Sequence, residues 1–426
     1  MKQTATLSIN EIATHSNKTI KFIRREIANK SIVSFKQGNK ILVLEKDYLF
    51  WKENFENSLF SQPKIKNKIK CKDDVSWIDI KDDMRKIDAW EDNSKIKNFN
   101  FIDLFAGAGG LSCGLVMAGL KPIESVEIMP EAVETYKYNF SKITDENIVP
   151  KDIRLASIKE NIINSHKNKH INLIAGGFPC QGFSMAGNRV INDPRNSLYE
   201  DMLDVVKGLK PDYVLMENVE GLRSMLGGAV EQKIIKDYLN LGYKINVAVL
   251  NSADYGVAQL RKRVIFIGNK IGATNYHPKP IYDESNYKTV GDVLAKYLNM
   301  GENKGINHIF SKTSDEMKKK IAAIPVGKSL YANYSDAWKK VAWDKPSCTV
   351  KENHGGVNIH PLQNRVMTPR ELATLQSFPD DFIFKGAKKW QLVQIGNAVP
   401  CLLGKALGLA ILKSYEEWKD KNERLL

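Results

Sequence analysis

The larger part of this 426-residue sequence predicts an open α/β fold, in which helices alternate with the strands of one sheet. Short apolar segments recur from residue 99 onward, and helical segments separate several of them. The strand candidates are 99–105, 121–126, 171–175, 213–217, 244–250 and 263–268. A glycine-rich turn, 103–110, follows the first candidate, where doubly wound sheets bind ligands. After residue 270 the alternation gives way to a lysine- and asparagine-rich region, and helical patterns return after residue 368.

The composition favours a nucleic-acid partner and a reducing cytoplasm. A formal net charge of +14 is typical of proteins that bind polyanions, with simple solubility as the alternative. There is no apolar run of about 18 residues, so we expect no membrane span. The N-terminus lacks the apolar core of a signal peptide. The five cysteines form no close pairs, and His354 and His360 lack partner ligands, so we expect neither disulfides nor a metal.

Residues 1–56 predict a small module that precedes the α/β part. Ser8 and Glu11 form a capping box at the start of a short helix. Residues 57–97 are rich in charge and predict a linker with one short helix around 82–90. The predicted elements of the module are helices 9–14 and 18–29, hairpin strands 32–35 and 40–44, and a last helix from about Asp47.

The second predicted helix of the module is cationic, since it carries Lys21, Arg24 and Arg25. Two short helices followed by a hairpin resemble a winged helix-turn-helix of the excisionase type. The resemblance implies that these three cations contact DNA. A generic docking domain is the alternative.

The glycine-rich turn predicts a site for an adenosine-containing ligand. A dinucleotide-binding loop would have a third glycine where this chain has Ser112. Glu127 ends the second strand candidate, roughly 20 residues on, where an acid commonly binds ribose hydroxyls. A second acid, Asp152, follows the next segment. This combination favours S-adenosylmethionine over NAD.

Three polar clusters follow strand candidates and are candidates for catalysis. Cys180 comes after an apolar strand, two glycines and Pro179, which suits a nucleophile, although a buried structural cysteine is the alternative. Glu217 directly follows an apolar strand, where an ionisable residue is costly unless it is functional or paired. Arg261 and Arg263 lie two residues apart, on one side of an extended segment.

Taken together, these clusters resemble the cytosine-5 DNA methyltransferases from about residue 99 to residue 426. The resemblance implies a Rossmann-like domain that binds S-adenosylmethionine, formed by residues 98–271 and 387–426, and a smaller target-recognition domain, residues 272–386. The matching segments, in the family's order, are 103–110, Glu127, Asp152 and Ile153, 178–181, 217–219, 259–263, 365–378, and Gly396 with Asn397.

The resemblance also implies the reaction and the role of each residue. Cys180 would attack carbon 6 of a flipped-out cytosine, so that carbon 5 can take a methyl group from S-adenosylmethionine and leave S-adenosylhomocysteine. Glu217 would hold the pyrimidine edge, Arg263 would bind the base oxygen, and Arg261 would support Glu217 or the catalytic loop. The implied cofactor residues are Phe105, Gly107, Gly109, Gly110, Glu127, Ile128, Asp152, Ile153, Pro179 and Asn397. The implied DNA contacts in this part of the chain are Gln181, Ser184, Arg195 and Gln259.

Two other functions remain open at this level. One is methylation of cytosine in RNA on the same fold, and the other is a DNA-binding regulator with an inactive catalytic domain. The helix-turn-helix candidate and the sizeable recognition segment favour double-stranded DNA as the partner. We expect a monomer for methylation, and a dimer if the N-terminal module binds an operator and represses its own promoter. Basic residues of the recognition segment that we expect to touch DNA backbone are Lys318, Lys319, Lys320, Lys339 and Lys340.

Overall fold

A computed structural model describes most of the chain from residue 98 onward and parts of the N-terminal region. The described residues are 6–15, 20, 23–24, 27, 32, 34–37, 40–49, 75–85, 90, 98–179, 198–331, 338–351 and 357–424. They fall into two compact units, a small one within residues 1–70 and a large one that contains the rest.

The small unit is a three-stranded antiparallel sheet with helical segments. The predicted capping box is confirmed, because the Ser8 amide donates to Glu11 Oε2 (2.7 Å) and the Glu11 amide donates to Ser8 Oγ (3.3 Å). The sheet has the order β1-β3-β2, so a hairpin is present and β1 is an added strand, but the first hairpin strand lies at 35–37 and not at the predicted 32–35. The elements are β1 (Thr6–Ser8), α1 (Ile9–His15), β2 (Phe35–Gln37), β3 (Lys40–Leu44) and a helical stretch at 45–49. The buried side chains are Ile12, Ala13, Ile23, Ile32, Val43 and Tyr48.

The predicted helix-turn-helix of the small unit stays a prediction. Arg24 is helical and exposed, as a DNA contact requires. Lys21 and Arg25 lie outside the described residues.

The large unit is built on a six-stranded sheet that confirms all six strand candidates. Its order is β6-β5-β7-β8-β10-β9; the first four of these strands run parallel, and β10 pairs antiparallel with both β8 and β9. The chain leaves β5 for β6 and returns to the other side of β5 as β7, so the winding reverses at β5. A ligand crevice is expected there, at the carboxyl ends of the strands. The strands are β5 (Asn100–Leu104), β6 (Lys121–Val126), β7 (Leu173–Gly176), β8 (Tyr213–Val219), β9 (Lys244–Asn251) and β10 (Lys262–Asn269).

Helices join the strands and complete the core, as expected for a Rossmann-like sheet. They are α3 (Gly110–Met117), α4 (Pro130–Phe140), α5 (Ala156–His166), α6 (Leu198–Leu209), α7 (Ala229–Asn240), α8 (Val290–Leu294), α9 (Asp315–Ala323), α10 (Pro369–Leu375), α11 (Lys388–Asn397) and α12 (Cys401–Glu423). Short 3-10 segments lie at 220–228, 252–255, 295–297 and 304–306. The stretch 388–423 is apolar and long enough to cross a membrane by composition alone, but 83% of its window is buried, as in a core helix.

The terminal helix α12 packs directly against α3. A Cβ at Gly114 would lie 2.3 Å from the Cys401 carbonyl oxygen and 2.6 Å from the Gly404 Cα, so only glycine permits this approach. The contact brings the segment before α12 against the glycine-rich turn that opens α3.

The predicted linker is wrong in its second half, because residues 75–85 and Trp90 belong to the large unit. Strand β4 (Ser76–Ile78) pairs in parallel with β11 (Tyr276–Pro278), and the helix α2 (Lys81–Arg85) follows it. The Trp90 side chain is buried and donates to Asp381 (3.1 Å). Charged residues dominate this stretch, and its few apolar side chains are the ones that pack.

The proposed recognition region shares the core of the large unit. Val290, Leu294, Val341 and Phe384 belong to the same buried cluster as the residues of the sheet. The division into a catalytic and a target-recognition domain therefore stays a prediction.

Candidate active site

The glycine-rich turn forms a tight, open loop after β5. Phe105 and Gly107 have positive φ angles of 62° and 56°, and a Cβ on Gly107 would have no atom within 4 Å. At Gly110 a Cβ would lie only 2.4 Å from the Val399 carbonyl oxygen. The loop is therefore open above Gly107 and closed at Gly110 by the chain that precedes α12.

Glu127 holds this loop in place from the end of β6. Its carboxylate accepts hydrogen bonds from the amides of Gly107 (2.9 Å), Ile128 (2.9 Å) and Met129 (2.8 Å). The Lys151 amide in turn donates to the Glu127 carbonyl (2.7 Å), which ties the Asp152 segment to the same point. The two predicted acids of the cofactor site therefore lie together.

Ser112 explains why the turn departs from the dinucleotide pattern. Its hydroxyl donates to Asp103 (2.5 Å) and lies 3.0 Å from the Tyr136 hydroxyl. Asp103 is fully buried, and this burial raises the pKa of its carboxyl to about 7. A glycine at position 112 would leave Asp103 without this donor.

The residues around the loop fit an adenosine group. Ile128 and Leu155 are each 52% exposed, which leaves apolar surface beside two carboxylates. Asp152 forms a two-point ion pair with Arg154, and this hydrogen bonding lowers the pKa of Asp152. Asn397 is exposed at the end of α11, two residues before Val399, whereas Ile153 is buried.

A second group of site residues lies at the ends of β8 and β10. Arg263 Nε is 2.8 Å from Glu217 Oε1, and the two side chains are only 12% and 11% exposed. A Cβ at Gly177 would be 3.2 Å from Glu217 Oε2, and Asn218 Nδ2 donates to the Phe178 carbonyl (2.9 Å). The Glu217 carboxylate and Asn218 therefore contact the segment that leads to Cys180.

Cys180 itself lies outside the described residues, as do Gln181, Ser184 and Arg195. Pro179, the last described residue before it, is exposed. Cys180 is three residues along the chain from Gly177.

Arg261 was predicted to support either Glu217 or the catalytic loop. The structure bonds its guanidinium to main-chain carbonyls and not to Glu217, and the catalytic loop lies outside the described residues. The Arg261 guanidinium is buried and donates to the main-chain carbonyls of Val350 (3.0 Å), Gly396 (3.2 Å) and Ala398 (3.0 Å). Burial, with the nearby Arg263 cation, lowers the pKa of Arg261. It is Arg263 that pairs with Glu217.

The predicted DNA contact by Gln259 is wrong. Its side chain is 0% exposed, and Nε2 donates to Gln376 Oε1 (2.9 Å) while Oε1 accepts from the Val350 amide (2.8 Å). A fully buried amide with its groups already paired has no access to DNA.

Gln376 is a site residue that the sequence pattern does not reveal, although it lies in one of the matching segments. The structure places its side chain under the segment that carries Asn397. Its position inside a matching segment was the available signal, since the neighbouring Thr374 and Ser377 are polar as well.

Among the described residues, no group of three or more His, Cys, Asp and Glu side chains could hold a metal ion.

Comparison with known proteins places the chain in one class of enzyme. The chain belongs to the C-5 cytosine-specific DNA methylase family, whose sequence profile matches residues 99–413. It is a DNA (cytosine-5-)-methyltransferase of the restriction–modification type.

Its relatives are Type II methyltransferases of bacteria. M1.HphI of Haemophilus parahaemolyticus is 41% identical over 331 residues, covering 74% of this chain and 87% of that protein. M.DdeI of Desulfomicrobium norvegicum is 33% identical over 381 residues, covering 74% and 89%. A solved structure described as a prophage-encoded DNA modification methyltransferase of E. coli has a TM-score of 0.62 at 27% identity, covering 75% of this chain and all of that one.

Proposed function

We propose that this enzyme transfers a methyl group from S-adenosylmethionine to carbon 5 of a cytosine flipped out of double-stranded DNA, through a covalent adduct with Cys180. S-adenosylhomocysteine is the second product. The proposal rests on the largely buried Glu217–Arg263 ion pair, which lies beside the segment that leads to Cys180. We place this activity in the bacterial cytoplasm, since the relatives are bacterial.

The residues proposed to hold S-adenosylmethionine surround the glycine loop. Glu127 and Asp152 provide carboxylates, Ile128 provides exposed apolar surface, and Asn397 provides an amide. S-adenosylmethionine, when bound, supplies an electrophilic methyl group.

The chemistry of the chain's own residues begins with the thiolate of Cys180. Its sulfur forms a bond to carbon 6, and the electrons of the 5,6 double bond move so that carbon 5 becomes an enamine nucleophile. Glu217 stabilises the proton that N3 gains in this step, and Arg263 holds the Glu217 carboxylate in position. Once carbon 5 is methylated, solvent water takes its proton, the electrons of that C–H bond re-form the 5,6 double bond, and the sulfur of Cys180 leaves carbon 6 as a thiolate. N3 gives back the proton that it gained.

Base flipping follows from the burial of the pair. A base stacked in a duplex presents only its edges in the grooves, whereas Glu217 and Arg263 expose about a tenth of their side chains. A cytosine reaches both only after it leaves the stack.

Bisulfite sequencing of DNA from cells that express the protein tests the function. We expect protected cytosines at one sequence with the wild-type chain and none with Cys180→Ser. Methylation of a tRNA more efficient than that of duplex DNA would overturn the choice of substrate. The sequencing also yields the recognition site.

We further propose that the N-terminal module represses transcription from the enzyme's own promoter. In support, residues 1–98 precede the family match, and the small unit has a capped helix, a hairpin and an exposed Arg24. Deletion of residues 1–60 should abolish binding to a promoter fragment in a gel-shift assay. Unchanged promoter binding would refute this role. Sedimentation with and without the fragment would show whether the monomer expected for methylation dimerises on an operator.

A further inference from the structure

A buried polar network lies directly under the segment that carries Asn397. Its members are Gln376 and Arg261, which are 0% and 3% exposed. They come from different parts of the fold, since Gln376 directly follows α10 and Arg261 directly precedes β10.

Gln376 bonds to the carbonyls on both sides of Asn397. Its Nε2 donates to the Ile395 carbonyl (2.8 Å) and lies 3.5 Å from the Ala398 carbonyl. Its Oε1 accepts from Gln259 (2.9 Å), which fixes the orientation of the amide.

Arg261 holds the same segment from another direction. It donates to the carbonyls of Gly396 (3.2 Å) and Ala398 (3.0 Å). The carbonyl of Ile395 therefore accepts from Gln376, that of Gly396 accepts from Arg261, and that of Ala398 lies within reach of both. The Asn397 side chain between them is exposed.

The held segment is part of the wall of the glycine loop. A Cβ at Gly110 would lie 2.4 Å from the Val399 carbonyl and 3.0 Å from the Ala398 Cβ. A shift of a few tenths of an ångström in residues 395–399 would change the contact with the loop.

We propose that Gln376 is a positioning residue for methyl transfer, which together with Arg261 fixes residues 395–398 so that Asn397 faces the bound methyl donor. The inference rests on the proposed use of S-adenosylmethionine. Because Arg261 is two residues from Arg263, one short segment then serves both ends of the reaction: Arg263 positions Glu217 for the cytosine, and Arg261 positions Asn397 for the donor.

The first experiment replaces Gln376 by methionine, which keeps the size of the side chain and removes its hydrogen bonds. We expect the Kd for S-adenosylhomocysteine, measured by calorimetry, and the KM for S-adenosylmethionine to rise about tenfold, with kcat changed far less. Tyr243→Phe is the matched control, because it removes one buried hydrogen bond, to the Pro211 carbonyl (2.6 Å), in another part of the unit. Its thermal stability should fall as in Gln376→Met, and its Kd should stay at the wild-type value.

A double-mutant cycle with Asn397→Ala separates positioning from general destabilisation. If Gln376 acts through Asn397, Gln376→Met should weaken binding of S-adenosylhomocysteine little further once Asn397 is alanine. Full additivity of the two changes, or a wild-type Kd for Gln376→Met, would overturn the inference. Failure of the proposed function would give a result that differs from failure of this inference. In that case the wild-type chain itself would not bind S-adenosylhomocysteine or methylate DNA.

Discussion

At the scale of single residues, the proposed activation of cytosine depends on the Arg263–Glu217 contact. Glu217→Gln removes the negative charge that stabilises the proton on N3 in the proposed chemistry, so methyl transfer should fall by about 10²–10⁴-fold. The affinity for S-adenosylhomocysteine should not change, because the proposed cofactor residues lie in other loops and helices. Single-turnover transfer of a labelled methyl group to duplex DNA measures the first effect, and calorimetry measures the second.

A second ion pair provides the control for this experiment. Arg223 lies 2.7 Å from Glu231, and the two side chains are 45% and 12% exposed. Arg223→Gln should leave the transfer rate unchanged, because the proposed chemistry gives this pair no role. A Glu217→Gln enzyme as fast as the wild type would contradict the assignment.

Asp103 predicts a pH dependence of stability. Burial raises the pKa of this carboxyl from 3.8 to about 7 in the folded chain, so the folded state binds a proton that the unfolded state has lost between these values. Its contribution to stability therefore falls as the pH rises from about 4 to 7 and is constant above. Asp103→Asn keeps an acceptor for Ser112 and cannot ionise. Its Tm should decline less between pH 5 and 8 than that of the wild type, and an identical decline would show that Asp103 does not titrate in this range.

The sequence pattern predicted which residues belong to the candidate site better than it predicted where their side chains point. Glu217 was predicted because an ionisable residue next to an apolar strand is costly unless it is functional or paired. This argument does not depend on which residues pack against it. Gln259, Arg261 and Arg263 alternate along an extended segment, and this spacing predicts a shared side. The three side chains nevertheless have different surroundings. Gln259 and Arg261 are buried against groups that are distant in sequence, namely Val350, Gln376 and the carbonyls of 396–398, whereas Arg263 pairs with Glu217.

At the scale of elements, the contact between α3 and α12 sets the position of the glycine loop. Gly114→Ala would place a methyl group 2.3 Å from the Cys401 carbonyl oxygen, and overpacking of this kind costs about 1–3 kcal/mol. The Tm and the affinity for S-adenosylhomocysteine should both fall, because α12 follows the 395–399 segment. Gly221→Ala is the control, since its Cβ would have no atom within 4 Å. Equal Tm values for the two variants would refute this packing argument.

The strands were predictable because each is an apolar run with a clear end. The antiparallel insertion of β10 between β8 and β9 was not, since apolar content carries no information on direction. Strand β4 was missed for a different reason. It has three residues, and its partner β11 lies about 200 positions along the chain, so no local pattern marks it.

At the scale of the whole molecule, residues 75–85 and Trp90 belong to the large unit although they precede the family match. Lys413 pairs with Asp83 (2.9 Å), and the Trp90 ring lies 5.4 Å from that of Phe140 and 5.5 Å from that of Phe382. These contacts join the stretch to α12, to α4 and to the chain after α10. We therefore expect the minimal methyltransferase to begin before the first residue of the matched family segment.

Two truncated chains test where the catalytic unit begins. A chain that starts at residue 72 loses the small unit and keeps β4, α2 and Trp90, so it should methylate DNA and unfold at the Tm of the large unit. A chain that starts at residue 98 leaves β11 without its partner and removes Trp90 from the aromatic cluster. Loss of a buried tryptophan alone costs about 3–5 kcal/mol, so this chain should unfold at a clearly lower temperature or fail to accumulate. Equal thermal stability of the two chains would mean that residues 75–97 are a linker after all, because only a stretch without stabilising contacts can be removed without loss.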